Sequence, residues 1–303
     1  MRKNNQKIYG KLLREINQSP KIRQKIIAAI EKNLNKTVIT FFTSFKYPVM
    51  IEDKDAVMLE EVLQNTKINK NGFVLMINSP GGSGLAAERI INVCRACSND
   101  KFEVLIPNMA KSAATMVCLG SNKIYMSKTA ELGPIDPQIA YTQDNVTKRL
   151  SIHSIITSYE KLFDMAINSN GQRLEPYLQQ LNRYDARDIE EFKRAMELSE
   201  SIAVKSLKSG MMNKFSEEQI KTKIKPFLEP LKSKSHGRPI FIKDAQKCDL
   251  KVEAIDMGST LWHDVWELYI RSDYCLNNSC AKLIESKTDH FNMGVKLLKG
   301  AVL

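Results

Sequence analysis

The chain has 303 residues, 43% of them apolar and 26% charged, with a formal net charge of +11. That suffices for one large α/β domain with extensions, or for two small domains. A membrane-spanning helix is not expected, since no run approaches the ~18–20 apolar residues that a span requires. A nucleic-acid binder is disfavoured too: residues 1–36 hold ten Lys/Arg against two Glu and leave only +3 for the rest.

Met1-Arg2-Lys3-Asn4-Asn5 has no apolar stretch behind it, so no signal peptide is expected and the chain is assigned to the cytoplasm. The six cysteines then read as reduced thiols. Ile8, Leu12, Leu13 and Ile16, followed by Ile22, Ile26, Ile27, Ile30 and Leu34, recur at three- and four-residue steps. This is the stripe of two short amphipathic helices broken near Ser19-Pro20. The basic arm of residues 1–36 is expected to pack on its own domain or on a neighbouring subunit of a homo-oligomer. Weak contact with an anionic membrane surface is the second reading.

Residues 37–42 (Thr-Val-Ile-Thr-Phe-Phe) read as a strand and Asp55 to Gln64 as a helix. Residues 73–77 (Phe-Val-Leu-Met-Ile) form an apolar strand running into the turn Asn78-Ser79-Pro80-Gly81-Gly82-Ser83. A helix from Gly84 to Ala96 carries Cys94 and Cys97. Neither a second such pair nor a spaced histidine pair accompanies them, so no metal is expected. The third strand is Glu103 to Pro107, a small-residue helix starts near Ser112, and Lys123 to Met126 is the fourth strand. Strand–helix alternation of this kind implies a largely parallel sheet with helices packed on it. From Ser154 onward the pattern is helical, with long segments at Asp188 to Gly210 and Glu217 to Leu228. A last helix–strand unit spans Ile242 to Val252, and Trp262 and Trp266 share a helical apolar face. After Asp273 the composition predicts a polar linker and a basic helical tail. The expected organisation is therefore an arm (1–36), a catalytic domain (37–272) and a tail (273–303). Cys275 and Cys280 flank a polar turn and could pair on oxidation.

Two segments carry chemistry. Glycines at 81 and 82 leave backbone N–H groups unshielded, and such groups can hold a developing oxyanion. Ser112, at a strand-to-helix junction among small residues, is either an N-cap or a nucleophile with the Ala113 N–H beside it. Neither segment is specific alone. Together, Ser-Pro-Gly-Gly-Ser, then a helix, a strand and a serine helix about thirty residues on, resemble the Clp protease proteolytic subunit and the signal peptide peptidases. The run Ala130-Glu131-Leu132-Gly133-Pro134-Ile135-Asp136-Pro137-Gln138-Ile139, after Ala-Lys-Ser-Ala-Ala-Thr, is similar to the serine dehydrogenase proteinase family.

That resemblance covers roughly residues 37–256. It implies a Clp/crotonase-type α/β fold with a mostly parallel sheet, a nucleophile at Ser112 and oxyanion donors at Gly81, Gly82 and Ala113. The slot of the Clp histidine holds Asp136, and His236 lies in the region of the Clp acid. Because triads are defined by geometry and not by chain order, His236 oriented by Asp136 is the expected base. The signal peptide peptidases use lysine instead, which makes Lys148 and Lys161 the rival bases. Lys111 adjoins the serine but is expected to point elsewhere. Asp136 could also simply organise its turn, and His236 could be an ordinary loop residue. His153, His263 and His290 show no partner pattern.

The implied activity is that of an ATP-independent serine endopeptidase acting on peptides or proteins without a cofactor, since no phosphate-binding loop is present. A crotonase-type acyl-thioester enzyme and a catalytically silent scaffold at a membrane surface are the competing functions.

Overall fold

The computed structural model describes Ile8 and residues 19–143, 146–169, 174–229 and 239–294; for 141–143 and 146–149 it describes the backbone. The first half runs α1 (Pro20–Leu34), β1 (Thr37–Thr43), α2 (Asp53–Asn65), β2 (Phe73–Asn78), α3 (Gly84–Ser98), β3 (Phe102–Ile106), β4 (Met109–Ala110), α4 (Ala113–Leu119), β5 (Ile124–Met126) and β6 (Glu131–Leu132). There follow the hairpin β7 (Gln138–Gln143) and β8 (Val146–Ser151), then α5 (Ile152–Ile167), α6 (Glu175–Leu181), α7 (Ala186–Ser209), α8 (Glu217–Lys223) and α9 (Lys225–Leu228). The last elements are α10 (Ile242–Lys247), β9 (Val252–Ala254), α11 (Thr260–Asn278), β10 (Cys280–Glu285) and β11 (His290–Gly294).

The central sheet has the order β11-β10-β1-β2-β3-β5-β9. Strands β1, β2, β3, β5 and β9 pair in parallel, while β10 joins β1 and β11 antiparallel. Helices cover both faces, which is why β1 and β2 are buried at every position and read as continuous apolar runs. One core packs that sheet against α2, α3 and α4, through residues such as Leu59, Ile90 and Val117. The other packs its opposite face against α1 and α11, through Ile27, Ile30, Val265 and Leu268. Two short strands, β4 and β6, pair in parallel beyond the ends of the main sheet. There β4 carries the chain into α4.

Two expectations need correction, and one element has no counterpart in the sequence reading. The arm does not end at residue 36 as a separate unit. α1 starts on a Ser19 side-chain cap with Pro20 in the first turn, buries Ile27 and Ile30, and sends Arg23 to Glu285 at 2.7 Å. Packing on its own domain is thus the reading that holds for the second half of the stripe. Nor is there a linker at 273: Asp273 lies inside α11, and β10 and β11 complete the sheet. Their buried Lys282 and Glu285 made a core strand look like a polar tail. The β7–β8 hairpin also went unread, because its alternation is weak and its turn has neither glycine nor proline. Apart from Ile8, the first helix of the arm lies outside the described residues, as do residues 295–303.

Candidate active site

Ser112 is where β4 passes into α4. Ser79, just beyond β2, bridges β4 on one side, with Ser79 N–H to Met109 O and Lys111 N–H to Ser79 O both at 3.0 Å. β6 pairs with β4 on the other. Between these contacts and the helix, Ser112 takes φ 51° and ψ −121°. A non-glycine residue held there stores about 1–3 kcal/mol of strain and needs its surroundings to keep it in place. Although Ser112 occupies the N-cap position, its hydroxyl makes no capping bond. The side-chain bond that the N-cap reading requires is absent here.

Gly81 lies directly against this serine. At φ +103° it occupies backbone space that L side chains avoid, and a Cβ there would stand 2.5 Å from Lys111 O and 2.7 Å from Ser112 Cβ. Its neighbour Gly82 faces Ile51, where a Cβ would approach the Ile51 carbonyl oxygen to 2.3 Å. Ile51 clasps the turn twice: its N–H donates to Gly81 O at 2.8 Å, and its carbonyl accepts Ser83 N–H at 2.9 Å.

The direction of the N–H groups follows from the peptide plane. In a trans peptide N–H and C=O point opposite ways. Gly81 C=O points at Ile51, so the Gly82 N–H points away from Ile51. Ser112 C=O accepts Met116 N–H at 3.1 Å within α4, so the Ala113 N–H projects outward from the helix start. Neither the Gly82 nor the Ala113 N–H has an acceptor among the described residues. The Gly81 N–H differs: it donates to Ser79 Oγ at 3.1 Å.

Ser112, Gly81, Gly82 and Asp136 line one cleft of ≈ 810 Å³, with Ile139 and Ala140 of β7 along its wall. Asp136 is buried and accepts the Ser151 hydroxyl at 2.7 Å, which pins the start of β7 to the end of β8. Thr115 ties the serine helix to the same loop: its hydroxyl donates to Ala110 O at 2.8 Å and accepts Gly133 N–H at 3.1 Å.

The candidate bases are distributed unequally. His236 lies outside the described residues. No described histidine lines the cleft: His153 contacts Thr157, His263 sits by Asp264, and His290 is exposed on β11. Lys161 is exposed on α5, away from the cleft lining. Lys111 lines the cleft beside Ser112, and its ammonium pairs with Glu131 at 2.7 Å. Lys148 is set by its backbone on β8, opposite Tyr141 of β7.

One supporting group was not read from the sequence. Lys282 of β10 reaches under α2 and bonds Glu52 at 2.8 Å and Asp55 at 2.8 and 2.9 Å. Glu52 and Asp55 form the capping box of α2, immediately after Ile51. Burial pushes the Asp55 carboxyl up, against the opposing pull of Lys282. The Lys282 bond holds the half-exposed Glu52 down. The only sequence trace is a pair of charges, Lys282 and Glu285, inside an apolar run.

The profile of the family described as ClpP-like SDH-type serine proteinase matches residues 1–161, more than half of the chain, and spans the glycine turn, Ser112 and Asp136. The chain belongs to that family. The match begins at residue 1, so the family pattern includes the arm that the sequence reading had set apart. Among curated relatives, the uncharacterized protein MJ0137 of Methanocaldococcus jannaschii is 32% identical over 139 residues, 42% of this chain and 46% of that one. A second uncharacterized protein of that organism, MJ1495, is 34% identical over 93 residues, 30% of each chain. The matched stretch thus spans less than half of either relative. Two solved structures of mutants of the 1510-N membrane-bound stomatin-specific protease are also similar. One is 18% identical with a TM-score of 0.27, covering 39% of this chain and 59% of that one. The other, in complex with a substrate peptide, is 17% identical with a TM-score of 0.28, covering 74% and 94%.

Proposed function

We propose that this chain is a serine endopeptidase that hydrolyses peptide bonds without ATP. The observation that carries the reading is Ser112 itself: strained, free of a capping bond and set against Gly81 at the helix start. Its Oγ attacks the substrate carbonyl, and the Gly82 and Ala113 N–H groups receive the oxyanion. Gly81 contributes room instead of a donor, since its own N–H is held by Ser79. An acyl-enzyme forms, the amine leaves with the proton that the base took from Ser112, and water completes the hydrolysis. The crotonase reading lacks such support, because a serine at the helix start is not its signature.

His236 oriented by Asp136 is our assignment for the base, supported by the presence of Asp136 in the Ser112 cleft. One observation favours Lys148 as the alternative: the β7–β8 hairpin that carries it rises from the cleft wall at Ile139 and Ala140. We further infer a homo-oligomer, in keeping with the exposed Phe163, Met165 and Ile167 on α5. A fluorophosphonate probe tests the central claim. Ser112 should be labelled, and Ser112→Ala should remove both labelling and peptide hydrolysis. Because the hydroxyl caps nothing, stability should stay within about 0.5 kcal/mol of the parent. Labelling that persists in Ser112→Ala refutes the assignment.

A further inference from the structure

The six cysteines are not equivalent. Cys94 and Cys118 are sealed in the core, and Cys248 is nearly so, its thiol pushed up to about 11 by burial. Cys97 is partly exposed on α3, with a thiol that burial also raises. The remaining two meet at one junction. Cys275 stands in the last turn of α11 and Cys280 opens β10, and between them the chain turns through residues 276–279. Their sulfurs are 3.3 Å apart, so about 1.2 Å of closure separates the contact from a disulfide bond of ~2.05 Å.

We propose that Cys275 and Cys280 form a redox-active dithiol, a modification site that a low-molecular-weight disulfide converts to an intramolecular disulfide bond.

The two thiols have different parts. Cys275 is the one solvent reaches, whereas Cys280 is buried behind it. Ser279 Oγ lies 3.4 Å from Cys275 Sγ, and the Arg23 guanidinium, held on Glu285, adds positive charge beside the pair. The hydrogen bond from Cys280, assisted by Ser279 and Arg23 against burial and the negative Glu285, brings the Cys275 thiol down to about 6. The same bond, with burial, raises Cys280. Cys275 is therefore the attacking thiolate and Cys280 the resolving thiol.

The chemistry balances. Cys275 thiolate attacks one sulfur of the external disulfide, forms a mixed disulfide and expels one thiolate. Cys280 loses its proton to solvent as its sulfur attacks Cys275 Sγ, which expels the second thiolate. The protein loses two electrons and two protons, and the external disulfide becomes two thiols. The established family chemistry uses neither residue, and both lie beyond the stretch that its profile matches.

The test uses the full chain and oxidised glutathione. After reduction, buffer exchange and exposure, the intact mass should fall by about 2 Da, and peptide mapping should find Cys275 joined to Cys280. Cys280→Ser should stop at a glutathione adduct on Cys275, while Cys275→Ser should take up neither the bond nor the adduct at this junction. Should either variant fail to fold, the map of the unsubstituted chain decides alone. Recovery of both thiols free, or modification at Cys97 with this pair untouched, overturns the proposal.

Discussion

Lys282→Met isolates the contribution of a buried charge to the active-site turn. Lys282 is 1% exposed and its ammonium faces Asp55, which is 0% exposed, so the pair is fully desolvated. Removing one partner of a buried pair while the other stays charged costs about 3–5 kcal/mol, a large share of the ~5–15 kcal/mol that holds a domain folded. Glu52 is half exposed and adds little. The effect has a pH signature. Burial already raises Asp55 in the folded state, so its contribution is full below the unfolded carboxyl value of about 3.9 and is lost as pH rises through the folded one. Without Lys282 the folded value climbs further, and the loss extends to higher pH. The stability gap between parent and variant should therefore be widest near pH 8 and shrink toward about pH 5. Urea unfolding followed by tryptophan fluorescence at both pH values measures it. Asp55→Asn in the same background should recover part of the loss, since the uncompensated charge is gone. A gap below about 1 kcal/mol, or one that does not change with pH, refutes the reasoning.

Gly81→Ala puts a methyl group at φ +103° against Ser112 Cβ; we expect a lower urea midpoint, by about 1–3 kcal/mol in stability, and slower fluorophosphonate labelling than in the parent. Thr115→Val keeps shape but strips the Gly133 N–H of its acceptor, so stability should drop by about 1–3 kcal/mol in the same urea assay. For the base, peptide hydrolysis should rise between roughly pH 6 and 7.5 and be lost in His236→Gln if imidazole serves; full activity in that variant, with loss in Lys148→Ala, gives the role to lysine.

What the sequence revealed and what it concealed divide along the range of the interactions. Strand β2 was legible because a strand buried on both faces between parallel neighbours is an unbroken apolar run. The glycine turn and the serine helix start were legible only as a pair, since each alone reads as an ordinary turn or an N-cap. Strand β10 was not, since its Lys282 and Glu285 are satisfied by Asp55 and Arg23, 227 and 262 residues away in the chain. No window of neighbouring residues contains those partners, so a buried charge reads as solvent-facing. The hydrogen bond of the Gly81 N–H is hidden for the opposite reason. Its acceptor, Ser79 Oγ, is only two residues away, but which of two adjacent N–H groups is left open depends on how the turn twists.

That twist links the distant charges to the site. Ile51 is hydrogen-bonded to both ends of the Gly81–Ser83 segment, and the residue after it opens the capping box that Lys282 closes. The Gly82 N–H points away from Ile51 because Gly81 C=O is held there, and Ile51 is held in place through α2 by a strand from the far end of the chain. The strain at Ser112 needs such support from both sides: Thr115 and Gly133 fix the helix that follows it, while Ser79 and Ile51 fix the turn that faces it. On the proposal that Ser112 is the nucleophile, its geometry lasts only as long as these backbone clasps do, and the residues that decide reactivity extend well beyond those that touch a substrate.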